Sequence, residues 1–142
     1  MIVNAKGTSR WAGNWKEGAG TLSTDNPTVS EAPYSYASRF EGAPGAVPEQ
    51  LLAASYAGCL NQAFANTFSW GNFTAEFIET EVEIEVEFGY DSNLGRIHIT
   101  TTAKVPGLRE DQYEAFTQTA KKGCLISRLL NVEATMDATL VP

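Results

Sequence analysis

Between residues 77 and 105 the chain alternates with a period of two. In "FIETEVEIEVEFGY" the apolar Val82, Ile84, Val86 and Phe88 are interleaved with Glu79, Glu81, Glu83, Glu85 and Glu87, which gives a strand one dry face and one wet face. "RIHITTTAKV" repeats the alternation, with Ile97, Ile99, Thr101, Ala103 and Val105 on one side and His98, Thr100, Thr102 and Lys104 on the other. A turn over residues 91–95 joins the two into a hairpin. Upstream the pattern changes. "PEQLLAASYAGCLNQAFANTFSWGN" is rich in Ala and Leu and carries no charged side chain after Glu49. Pro48 suits a first helical position, where its missing N–H needs no partner, and Glu49 suits the positive end of the helix dipole. With Gly71-Asn72 as a stop, one long helix over residues 48–70 is predicted. A helix with no charged face cannot lie on a domain with one side in water, so it either runs through the core or packs against a second subunit.

Downstream, "LREDQYEAFTQTAKKGC" has acidic residues first and lysines last, the order a helix dipole favours, and predicts a helix over residues 109–122. Cys124 then opens a short helical piece, "CLISRLL", before a last strand near "EATMDATLV". The first 47 residues are rich in Gly, Thr, Ser and aromatic residues, with turn signals at 12–14, 16–18 and 25–27, and predict short antiparallel strands. "SRFEGAPGAV", residues 38–47, reads as a loop leading into the long helix. Hairpins combined with unequal helices, in place of regular βαβ spacing, make the fold class α+β, in one domain over residues 1–142.

Composition narrows the partners. The chain of 142 residues has a formal net charge of −7 and a pI near 4.6, so its mean field repels phosphate backbones and nucleic acid is not expected. No stretch reaches the roughly 18 uninterrupted apolar residues of a membrane span, and the N-terminus carries no apolar leader pattern. A cytoplasmic location with no membrane partner is the expectation. The glutamate ladder of residues 79–87 reads as a solvated face, because outward positions along one strand do not converge on a cation. His98 falls on the polar face of its strand. Trp11, Trp15 and Trp70 read as core or pocket wall, since the basic groove of a single-strand binder is missing.

Two cysteines remain, Cys59 and Cys124. In a reducing compartment they are inert core residues, part of a metal site, or a redox pair. Metal is the poorest fit, because two cysteines and one histidine do not complete a tetrahedral set; no bound metal or cofactor is expected. Cys124 follows Gly123 at the start of a helical piece, where partial positive charge lowers a thiol pKa, whereas Cys59 lies mid-helix without that help. Electrostatics along the chain therefore nominates Cys124 as the attacking thiolate.

"RFEGAPGAVPEQLLAASYAGC", then "VPG", "KKGCLISRLL" and "ATMDATLV" together resemble the OsmC/Ohr family of bacterial thiol peroxidases, the osmotically inducible and organic hydroperoxide resistance proteins, in order along nearly the whole chain. The resemblance implies a cysteine-based reductase of organic hydroperoxides acting in oxidative or osmotic stress defence. It makes Cys59 the peroxidatic cysteine, Cys124 the resolving cysteine, Arg39 the residue that activates the thiol and Glu49 the holder of Arg39. That reverses the electrostatic nomination. The implied cycle passes through a Cys59 sulfenic acid and a Cys59–Cys124 disulfide, which an external thiol reductant, commonly a dithiol such as dihydrolipoamide, reduces. It also implies an intertwined homodimer with long central helices between antiparallel sheets, and apolar site surroundings drawn from Phe40, Leu52, Phe64 and Leu125. The chain departs from the family pattern at Tyr56, where OsmC-type relatives often carry His, and at Leu125-Ile126, where a proline usually follows the second cysteine. A different class of function is a dimer of the same fold that binds an apolar ligand or serves a stress role without turnover.

Overall fold

A computed structural model describes residues 1–89 and 94–142. Its order is β1 Gly7–Ala12, β2 Ala19–Thr24, β3 Ala32–Ser35, α1 Tyr36–Phe40, α2 Pro48–Trp70, β4 Phe77–Val86, β5 Leu94–Lys104, α3 Glu110–Gly123, α4 Leu125–Leu129 and β6 Ala134–Leu140. This mixed helix-and-sheet order is the α+β fold that the alternation predicts. The turn expected over residues 91–95 falls mainly on residues outside those described. The chain divides into two compact units, Met1–Leu51 and Leu52–Pro142.

In the first unit β1, β2 and β3 form an antiparallel meander, with Trp11 opposite Gly20 and Gly20 opposite Tyr34. Asn14 shapes the β1–β2 loop: its Oδ1 accepts from the backbone N–H of Lys16 at 3.0 Å and of Glu17 at 2.8 Å, an Asx turn. The loop expected over 38–47 starts later than the glycines and proline suggested, because residues 36–40 form α1. Ser35 caps this helix, accepting from the Ser38 N–H at 3.0 Å, while the Ser38 hydroxyl accepts from the Ser35 N–H at 2.9 Å. This reciprocal pair overrides the turn signals that follow it. Gly45 closes the loop at φ 138°, and a Cβ there would stand 2.8 Å from the Ser38 Cβ, so only glycine fits.

The second unit holds the core. Strands β4 and β5 pair antiparallel, and β6 joins β5 in parallel, which requires the long crossover that α3 and α4 supply. Gly95 permits the close approach at the irregularity near Ile84 and Val86, since a Cβ there would lie 2.0 Å from the Glu85 carbonyl oxygen. Along α2 a stripe with period four, Tyr56, Leu60, Phe64 and Phe68, is buried against Val82, Ile97, Ile99, Tyr113 and Ala120. Each such side chain contributes roughly 1.5–3 kcal/mol through loss of apolar surface to water. The opposite side of α2 is exposed, including Leu51, Leu52, Ala54, Ser55, Gly58, Gln62, Ala65, Asn66 and Trp70. The helix does not run through the core of its own chain. Of the two alternatives for a charge-free helix, packing against a second subunit is the one left open.

Candidate active site

Four side chains nominated from the sequence fall into two pairs. The first lies in the unit Met1–Leu51. Arg39 is near the end of α1, and Glu49 is in the first turn of α2. The Arg39 Nε donates to both oxygens of Glu49, at 2.8 and 3.2 Å, and Nη2 donates to Oε1 as well. Two guanidinium nitrogens thus converge on Oε1 while Nε also reaches Oε2, and these charge-assisted bonds hold the guanidinium plane. The bonds from Arg39 hold the Glu49 carboxyl below its ordinary value, against the opposite pull of burial. The same bonds raise the Arg39 pKa. Both side chains remain partly exposed, 34% and 26%, so solvent screening keeps the pair a positioning device more than a source of stability.

The second pair lies in the unit Leu52–Pro142. Cys59, in the middle of α2, is half-buried at the edge of the core, whereas Cys124, between α3 and α4, is only 1% exposed. The Cys124 thiol donates to the Cys59 sulfur across 3.0 Å. Burial pushes the Cys124 thiol up to about 11, and the hydrogen bond to Cys59 adds to this. This overturns the electrostatic nomination of Cys124 as the attacking thiolate. Its place at the N-terminus of a five-residue helix does not offset the loss of water around the sulfur. At pH 7 the Cys124 thiol is therefore protonated.

The residues beside the thiols explain two features of the sequence. Ser127 donates from Oγ to the Cys124 carbonyl at 3.0 Å and to the Lys121 carbonyl at 3.1 Å. It thus ties the α3–α4 junction where no proline follows Cys124. Tyr56, one turn before Cys59, is fully buried; burial raises its phenol, a hydrogen bond with Ser127 acts the other way, and charge on Cys124 or Cys59 raises it further. Of the expected apolar surroundings, Phe64 is buried, while Leu52 and Leu125 are exposed in the single chain, at 39% and 69%.

Other candidates stand apart from the thiols. Glu79, Glu81, Glu83 and Glu85 are exposed as the strand parity requires. His98 lies between the Thr135 hydroxyl, 2.6 Å from Nδ1, and Asp137, 3.2 Å from Nε2. Both neighbours come from β6, which the local pattern around His98 could not reveal. The Asp137 side chain is 81% exposed, so this is an open surface pairing. Trp70 is 63% exposed and is not core, whereas Trp11 and Trp15 line a cleft with Tyr34, Tyr36 and Phe40. Among the described residues no group of three or more His, Cys, Asp or Glu is arranged to hold a metal ion, and no helix is long and apolar enough to cross a membrane.

Comparison with known proteins adds to this geometry. Residues 41–138 match the family profile described as OsmC-like protein. Over 143 aligned residues the chain is 32% identical to the peroxiredoxin OsmC of Escherichia coli K12, covering 99% of each protein. In fold it is similar to the organic hydroperoxide resistance protein OhrB of Bacillus subtilis, with a TM-score of 0.70 and 21% identity over 99% of this chain and 100% of that one. It is also similar to an OsmC-like protein from Mycoplasma pneumoniae, with a TM-score of 0.77 and 17% identity over 100% of both chains.

Proposed function

The chain belongs to the OsmC-like protein family, and on that premise we propose that it is a cysteine-based peroxidase that reduces organic hydroperoxides to alcohols. The full-length likeness to a protein named a peroxiredoxin supports peroxidase-type chemistry in stress defence, with no prosthetic group required. The observation that carries the finer reading is the Cys59–Cys124 separation of 3.0 Å. A disulfide has an S–S bond of about 2.0 Å, so the two sulfurs need to close by only about 1 Å. Cys59 is the thiol a peroxide can reach, and Cys124 is the one kept protonated and dry.

In this mechanism the Cys59 thiolate attacks the distal oxygen of ROOH. The O–O bond breaks, the alkoxide leaves and takes up a proton as ROH, and Cys59 becomes a sulfenic acid, oxidised by two electrons. By the family resemblance Arg39 takes the role of favouring the thiolate, and Glu49, which is bonded to it, holds its plane. The Cys124 sulfur then attacks the sulfenic sulfur; its proton leaves with the hydroxyl as water and the disulfide forms. An external dithiol such as dihydrolipoamide returns both cysteines to thiols and is itself oxidised to a disulfide.

The functional unit is a homodimer in one reducing compartment, the cytoplasm. The charge-free exposed side of α2, together with open Leu51, Leu52 and Leu125, supports burial against a second copy. The test is turnover of cumene hydroperoxide by the reduced protein with excess dihydrolipoamide. Cys59→Ser is expected to abolish consumption above the uncatalysed rate; unchanged consumption would overturn the reading.

A further inference from the structure

Cys124 sits at a junction that is held more firmly from one side than from the other. Its backbone is extended, at φ −60° and ψ 124°, between the last turn of α3 and the first of α4. On the α3 side the Cys124 N–H donates to the Ala120 carbonyl at 2.9 Å. On the α4 side the backbone bonds are longer, from the Arg128 N–H to the Cys124 carbonyl at 3.2 Å and from the Leu130 N–H to the Ile126 carbonyl at 3.3 Å, at or beyond the usual range. A five-residue helix does not hold itself. The half-buried Ser127 adds a second tie, because its one hydroxyl is shared between the Lys121 carbonyl in α3, at 3.1 Å, and the Cys124 carbonyl, at 3.0 Å. Satisfying the open C-terminal end of α3 accounts for the bond to Lys121. It does not account for the bond to Cys124, whose carbonyl already accepts from Arg128.

Resting on the peroxidase reading, we propose that Ser127 is the positioning residue of the resolving step: by fixing the Cys124 peptide it keeps the Cys124 sulfur against Cys59 and directs the sulfenic acid to a disulfide. With its N–H and its carbonyl both tied, the Cys124 Cα has a fixed orientation, and so has its bond to the Cβ that carries the sulfur. That sulfur stands 3.0 Å from the sulfur of Cys59, a near-attack spacing from which a displacement of about 1 Å can cost about 100-fold in rate. Cys59, Lys121, Cys124 and Ser127 all belong to the one compact unit Leu52–Pro142. Two fates compete for the Cys59 sulfenic acid. In the first, the Cys124 sulfur attacks the sulfenic sulfur, the S–S bond forms, the S–O bond breaks, and the hydroxyl leaves with the thiol proton as water. In the second, the sulfenic sulfur attacks another molecule of ROOH, the O–O bond breaks, ROH leaves, and Cys59 becomes a sulfinic acid, which a thiol does not reduce. Ser127 acts on the first fate alone.

The experiment exposes the reduced full-length protein, without reductant, to a rising excess of cumene hydroperoxide. Intact mass reads the disulfide as a loss of about 2 Da and the sulfinic acid as a gain of about 32 Da. The ratio of the two products does not depend on how fast the sulfenic acid forms, so it reports resolution by itself. At a given peroxide concentration, Ser127→Ala is expected to raise the ratio of sulfinic acid to disulfide about fivefold or more. Ser127→Thr, which keeps the hydroxyl, is expected to stay within twofold of wild type. Urea transitions establish that each variant is folded; where Ser127→Ala is not, Ser127→Val set against the near-isosteric Ser127→Thr makes the same comparison. A ratio within twofold of wild type for Ser127→Ala or Ser127→Val, or the same raised ratio in Ser127→Thr as in Ser127→Val, would overturn the role of Ser127 and leave the peroxidase standing. A wild type that forms neither disulfide nor sulfinic acid would overturn the peroxidase reading, and the role of Ser127 with it.

Discussion

Replacing Cys59 by serine leaves Cys124 as the one thiol in the chain and exposes its buried character to direct measurement. In the folded protein the Cys124 pKa is raised from 9.0 to about 11, so at pH 8 the thiolate share is about 100-fold lower than in the unfolded chain. Part of this is returned, because a more basic thiolate is intrinsically more nucleophilic. With a Brønsted slope of about 0.4–0.5, two pKa units give back roughly 6–10-fold. The net chemical effect is a reaction about tenfold to fifteenfold slower with a small aromatic disulfide reagent such as DTNB. At 1% exposure, access slows it further. The assay is the DTNB rate of Cys59→Ser at pH 8, native and in concentrated urea, followed by a native pH series. The native rate should be at least about tenfold lower, with its inflection well above pH 9; losing the hydrogen bond to Cys59 lowers that inflection somewhat but leaves burial, the larger cause. Native and unfolded rates within threefold, with an inflection near 9, would refute the assignment of Cys124 as the dry, protonated partner.

Three further outcomes follow from the same geometry. Because the Cys124 pKa is raised on folding, its contribution to stability is complete below pH 9 and is lost as pH rises through about 11; this loss is at most about 2–3 kcal/mol. Urea unfolding at pH 8 and pH 10.5 should show wild type losing more than Cys124→Ala, and equal losses would contradict it. Leu60→Ala, at a fully buried position, should cost about 3 kcal/mol in urea unfolding; a cost below 1 kcal/mol would mean that the α2 stripe is not the core. Arg39→Lys and Glu49→Gln should each lower kcat/KM for cumene hydroperoxide tenfold or more, since neither keeps the bidentate charged pair. In wild type the Glu49 carboxyl is held below its ordinary 4.5, so the pair persists above that pH and is lost as pH falls through the lowered value. Rates within twofold of wild type for both variants would remove the pair from the site.

The long helix and the β4–β5 strand pair were legible because their signals are local. Pro48 and Trp70 bound α2, next to the predicted start and the Gly71-Asn72 stop, and the period-two alternation places Ile97, Ile99, Thr101 and Ala103 inward as observed. Helix α1 was hidden by the glycines and proline that follow it, although Ser35 and Ser38 carry a capping signal three residues apart. The pairings across the chain were beyond local pattern. His98 meets residues of β6, and Cys124 meets Cys59, only after the parallel crossover forms. The nomination of Cys124 as a low-pKa thiol failed for a physical reason: a helix start is visible in sequence, but burial of the sulfur is a property of the packed core, and here burial is the larger effect. The tryptophans divide in the same way. Exposure of Trp70 and the grouping of Trp11 with Trp15 depend on tertiary neighbours that composition does not show.

In the proposed cycle Cys59 is oxidised first and Cys124 resolves it. The most direct measurement is intact mass with peptide mapping of the reduced protein after one equivalent of cumene hydroperoxide, alongside Cys124→Ser. The wild type is expected to lose about 2 Da as a Cys59–Cys124 disulfide within one chain, and the variant to gain about 16 Da on Cys59 as a sulfenic acid. A wild type that keeps both thiols, or that carries the added oxygen on Cys124, would contradict the account.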